Sequence, residues 1–205
     1  MAMPGTCHEF YFQNFRNLDR GAYALPVLFG SEVNIIDEFG GIDMPEALLP
    51  SMDVNIASLH PPCVRLMNKQ ETTQAVCNVL KNPNIDIIGH LDDDRFPVDY
   101  EEVVKVAAAY NKLFEVNNSS LSPQSYRPGA HDNYLRLLEY CEKYGVEIIL
   151  NSDAHTDTAI GNHQYSEALV QETGFPVEHI VNDSVAHYMS HLRPIAHSYF
   201  TLPLE

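Results

Sequence analysis

Five residues carry the donor atoms that a hydrolytic metal centre needs: Glu32 in FGSEVNI, His60 in IASLHPP, His90 in DIIGHLDDD, and Asp153 with His155 in NSDAHT. Carboxylate oxygen and imidazole nitrogen are ligands suited to Zn, Mn or Fe, and an Asp-x-His pair brings two donors from one loop. A mixed set also lets one carboxylate bridge two cations, which acidify water and hold a phosphoryl oxygen. Each residue alone reads as a solvated or structural side chain. Together they point to metal-assisted hydrolysis.

The elements that must position these donors are short apolar runs separated by stretches of helical spacing. Pro26 to Ile36, Val54 to Leu59, Ile85 to Gly89, Leu113 to Val116 and Val146 to Leu150 are rich in Val, Ile, Leu or Phe and too short for helices, so they predict buried strands. Apolar residues at helical spacing predict helices over Thr72 to Leu80, Tyr100 to Tyr110, His131 to Tyr144 and Tyr165 to Glu172, with shorter pieces at Val177 to Ile180 and Ser184 to Leu192. Acids after Asp99 and the stop at Gly145 support two of these boundaries. Such alternation predicts an α/β fold with a mainly parallel sheet, open or closed into a barrel. Function in these folds collects at the strand carboxyl ends, and four of the five runs end beside one of these carboxylate or imidazole donors.

Other residues are weaker candidates. Asp92, Asp93 and Asp94 read as a solvated loop. Asn117, Asn118, Ser119 and Ser120 suit either a phosphate contact or a turn. Arg65, Lys69 and Arg127 are candidate phosphate contacts that serve equally as ion-pair partners. His163, His179, His187, His191 and His197 read as surface or packing residues. No Gly-rich phosphate loop and no nucleophile elbow is present.

Composition sets bounds. With 205 residues, 45% of them hydrophobic, one domain spanning 1–205 is expected. A net charge of -16 argues against nucleic acid as a partner. No apolar stretch reaches the ~20 residues of a membrane span and the first residues lack a signal-peptide pattern, so a cytoplasmic protein is expected. Cys7, Cys63, Cys77 and Cys141 form no C-x-x-C pair and read as reduced thiols.

The runs FGSEVNI, IASLHPP, DIIGH, FEVNNSS and NSDAHT, in this order, resemble the PHP family of polymerase and histidinol phosphatase domains, and the likeness continues through FPVEHIVNDSVAHYMSHL. The resemblance implies a distorted (β/α)7 TIM-like barrel and hydrolysis of a small phosphorylated metabolite at a centre of up to three divalent ions. On that pattern Glu32 is a bridging carboxylate completed by His60 and His90, Asp153 belongs to a second site and His155 to a third. The family's opening H-x-H motif and its T-D-H-G motif are not found here, and His8 matches a loop residue rather than a ligand. The expectation is therefore an N-terminally truncated, incomplete barrel lacking its first two strands, with fewer metals and impaired catalysis. Its exposed strand edge favours a homodimer. A non-catalytic metal-binding or assembly protein is the alternative, and an amidohydrolase-type barrel acting on C–N bonds is a third reading that fits the Asn-Asn-Ser-Ser segment less well.

Overall fold

The computed structural model describes residues 9–197, apart from the side chains of Glu9, Arg16, Ile195 and His197. Cys7 and His8 lie outside the described residues. Strands β1 (Gly30–Asn34), β2 (Val54–Ser58), β3 (Ile87–Ile88), β4 (Leu113–Asn117) and β5 (Ile148–Asn151) form one parallel sheet in the order β1-β2-β3-β4-β5. The helices are α1 (Glu9–Gln13), α2 (Lys69–Leu80), α3 (Tyr100–Tyr110), α4 (Ala130–Tyr144), α5 (Gln164–Thr173), α6 (Val185–His191) and α7 (Pro194–His197). Each new strand joins the same edge of the sheet, so α2, α3, α4 and α5 pack side by side. The parallel α/β organisation expected from the alternating runs is therefore present.

Period-two alternation sorts the strand side chains onto two faces. Val33, Ala57, Ile88, Phe114, Val116, Ile148 and Leu150 join the main core with the helices. Ile87, Leu113 and Ile149 face the other way and cluster with Val181, packed against Val54, Ile56 and Tyr188. On this second face the chemistry changes toward the strand carboxyl ends: Ser58 follows Ile56 two residues on, Glu115 follows Leu113 and Asn151 follows Ile149. The sheet thus has an apolar floor and a polar rim.

In α4, Tyr134, Leu137, Leu138 and Cys141 are all buried, at positions that share one helix face. Burying each leucine contributes about 1.5–3 kcal/mol. The Tyr134 hydroxyl accepts a hydrogen bond from the Asn117 amide at 2.8 Å, which ties the helix to the end of β4.

Boundaries differ from expectation for local reasons. Helix α2 starts at Lys69 rather than Thr72, because Asn68 and Glu71 form a reciprocal capping box at its first turn. Strand β1 starts at Gly30 rather than Pro26, and a Cβ at Gly30 would lie 2.1 Å from the Val54 carbonyl oxygen. Strand β3 is reduced to Ile87–Ile88 because the chain turns sharply at His90, whose φ is 26°. Asp92 and Asp93 do not form a solvated loop: they are 0% and 6% exposed, and Asp94 alone of the three is exposed.

Candidate metal centre

Glu32 projects from β1 onto the polar part of the second face, His60 follows β2 and His90 follows β3. Gly89 lets β3 approach β2 here, since a Cβ would sit 2.3 Å from Ser58 Oγ. His90 and Asp153 both take left-handed backbone conformations, φ 26° and 50°, which side chains other than glycine rarely adopt. Such strain persists only where surrounding packing enforces it and clusters at functional sites.

The geometry gathers three of the five sequence candidates. His90 Nε2 lies 3.1 Å from Glu32 Oε1 and 3.1 Å from His60 Nε2. His60 Nε2 is 3.6 Å from the same Glu32 oxygen. The other ring nitrogen, His60 Nδ1, donates to Asn34 Oδ1 at 2.7 Å, and Asn34 Nδ2 donates in turn to Asp43 Oδ2 at 2.5 Å. Because an amide oxygen can only accept, the proton of His60 stays on Nδ1 and the Nε2 lone pair faces the centre.

Electrostatics holds two of the three donors, Glu32 and His60, in ligand form, while His90 must give up a proton to bind. Burial raises the Glu32 pKa, but its contact with His90 outweighs this and holds the carboxyl down at about 2. Burial, reinforced by repulsion from His90, lowers His60 to about 4. For His90 burial opposes the charged form, yet the Glu32 contact prevails and raises its pKa. A carboxylate and a neutral imidazole are the states that bind cations.

Asp153 stands near the trio without joining it. Its Oδ2 accepts from Asn117 Nδ2 at 3.1 Å and lies 4.0 Å from Arg127 Nη1. His155 lines the same cleft at its edge, with its side chain 84% exposed and Nδ1 donating to the Asp153 carbonyl at 2.9 Å. Of the candidate cations, Arg65 pairs with Glu71 and Glu38, and Lys69 pairs with Asp99. Arg127 is different: its side chain is 7% exposed, it donates to Ser120 Oγ at 2.6 Å, and it lines a cleft of about 650 Å³ with Glu32, His60 and His90. Asn117 and Asn118 are committed internally, the latter accepting from the first amides of α5, so Ser119 alone of that segment lines the cleft.

Sequence reasoning missed Asn34, Asp43 and Glu115. Glu115 is 5% exposed and accepts from the His90 amide at 2.8 Å and from Asn151 Nδ2 at 2.8 Å, and burial pushes its pKa up. Its signal was available, because Glu115 and Asn117 alternate onto one face of β4. Asp92 is another buried acid raised by burial. The set of one carboxylate and two imidazoles converging on one point fits a divalent transition-metal ion.

Fold and site together define an α/β protein with a candidate metal centre at the carboxyl end of a parallel sheet. The chain belongs to a family of probable phosphatases. It is 39% identical over 191 residues to a probable phosphatase of Clostridium novyi, covering 93% of this chain and 78% of that protein. Relatives of the same description from Caldicellulosiruptor saccharolyticus, 39% identical, and Clostridium acetobutylicum, 37% identical, match 93% of this chain and 79% and 78% of their own lengths. No family model matches the chain.

Proposed function

We propose that the chain is a metal-dependent phosphatase of the polymerase and histidinol phosphatase type, acting on a small phosphorylated metabolite, and that its sheet is part of a distorted (β/α)7 barrel. The observation that carries this reading is the convergence of Glu32, His60 and His90 beside Arg127 in one cleft. Glu32, His60 and His90 would hold the ion, with Asp153 nearby for a second, and Zn, Mn or Fe suits the donor set. When bound, a divalent cation supplies Lewis-acid polarisation of a phosphoryl oxygen and acidifies water. Arg127, anchored by Ser120, presents a guanidinium to a substrate phosphate. The Asn34 side-chain oxygen keeps His60 oriented, and Tyr126, with the Arg95 and Arg127 guanidiniums 5.7 and 5.4 Å from its ring centroid, walls the cleft.

The test is hydrolysis of p-nitrophenyl phosphate by chelator-treated protein resupplied with Mn or Zn. Activity should return with the metal and fall at least about 100-fold in His90→Gln. Metal-independent turnover would overturn the reading. A second reading, metal binding without catalysis, draws support from the solvent-facing His155, which leaves, among the described residues, a single three-donor group at the strand carboxyl ends. Calorimetric metal binding without phosphate release, under conditions where the Clostridium novyi relative is active, would favour it.

A further inference from the structure

At the opposite end of the sheet a second group of donors converges. Glu147 precedes the first residue of β5, and His187 and His191 lie one turn apart on α6. Ser184 caps that helix by accepting from the His187 amide at 3.1 Å, which sets the two imidazoles on one helix face. His187 Nε2 is 2.6 Å from Glu147 Oε1, and His191 Nε2 is 2.7 Å from Glu147 Oε2. Their ligand atoms all lie within 4.8 Å of one another. The side chains of Glu147, His187 and His191 are 25%, 21% and 8% exposed, so the group is largely shielded from water.

We propose that Glu147, His187 and His191 form a three-ligand zinc site, separate from the cleft, that fastens α6 to the start of β5. Two imidazoles at i and i+4 with a carboxylate are a donor set suited to zinc and poor for magnesium or calcium, leaving a position for water. A supporting partner is already in place: Asp183 Oδ1 accepts from His187 Nδ1 at 2.8 Å, which directs Nε2 to the centre. The buried Nδ1 of His191 has no partner among the described residues, so its Nε2 contact orients the ring. The element being fastened matters, because Tyr188 of α6 packs on the second face and lines a cleft with Glu32 and His90. His187 and His191, expected as surface or packing residues, thereby acquire a ligand role.

The experiment counts zinc. In a His60→Gln, His90→Gln background, with both imidazoles of the cleft trio removed, equilibrium dialysis against zinc alone should leave one equivalent per chain and raise the melting temperature. Adding His191→Gln should remove both the equivalent and the shift. Glu147→Gln in the same background keeps hydrogen-bonding capacity toward both rings while deleting the anionic ligand, so it covers the case in which the histidine variant does not fold. It should weaken zinc binding at least tenfold, and bound cobalt should lose its visible absorption bands. Unchanged zinc content in either folded variant would make the cluster an ion-paired latch and overturn the proposal.

Discussion

At His60 the ring nitrogen facing Glu32 and His90 is left without a proton because Asn34 holds the other one. That single contact sets ligand quality, and it can be removed cleanly: the Asn34 main chain keeps its own bonds to Asp43, with the amide donating to Asp43 Oδ1 and the carbonyl accepting from the Asp43 amide. Asn34→Ala should therefore lower metal affinity about 10–100-fold while leaving the fold intact. Competition with a chromophoric chelator, beside a far-ultraviolet circular dichroism spectrum, measures this, and unchanged affinity would show that Asn34 does not govern the tautomer. The donors themselves were legible in the sequence because each of Glu32, His60 and His90 sits in or just after an apolar run. Asn34 and Asp43 were not, since their importance lies in a partner brought near by β1–β2 pairing. Asp92 misled for a related reason: an acidic run reads as solvated until α4 and the loop carrying Arg127 cover it.

At the scale of elements, run length and helical spacing were enough to give the five strands and the order of their helices. What they could not give was how the ends are tied down, because those ties join residues far apart in the chain. Arg193 Nε reaches Asp86 Oδ1 at 3.1 Å, while its other nitrogens donate to the carbonyls of Leu49 and Met52 at 3.0 and 2.9 Å. Asp86 Oδ2 also accepts from the Asn55 amide at 2.7 Å, so one ion pair joins β2, β3 and the segment after α6. Burial nonetheless leaves the Asp86 pKa above its ordinary value of 3.8, with Arg193 pulling the other way. A carboxyl whose folded pKa is raised favours folding below its unfolded pKa and loses that contribution as pH climbs through the folded value. Arg193→Met deletes the opposing pull, so Asp86 rises further. The variant should lose about 3–5 kcal/mol near neutral pH. Its deficit should shrink as pH falls through the raised folded pKa, above the ordinary 3.8, where Asp86 takes up a proton. Urea midpoints measured at neutral and acidic pH decide this, and a pH-independent deficit would show that packing, rather than the stranded Asp86 charge, carries the loss.

Across the whole molecule a net charge of -16 opposes the approach of a phosphate monoester, itself an anion. The cations at the cleft do little to reverse that at a distance. Arg95 is held against Asp93, with Nη2 and Oδ2 2.5 Å apart, and Arg127 lies 4.0 Å from Asp153 and is almost wholly buried. Their attraction is felt only after the substrate has entered, whereas the acidic surface acts over the roughly 10 Å Debye length of ordinary buffers. Screening should therefore help. With metal concentration fixed and saturating, kcat/KM for a phosphate monoester is expected to rise severalfold as potassium chloride is increased from low to physiological ionic strength, while kcat stays nearly constant because chemistry takes place behind the barrier. A fall in kcat/KM would mean that Arg127, Arg95 and the bound cation project a positive field beyond the cleft mouth.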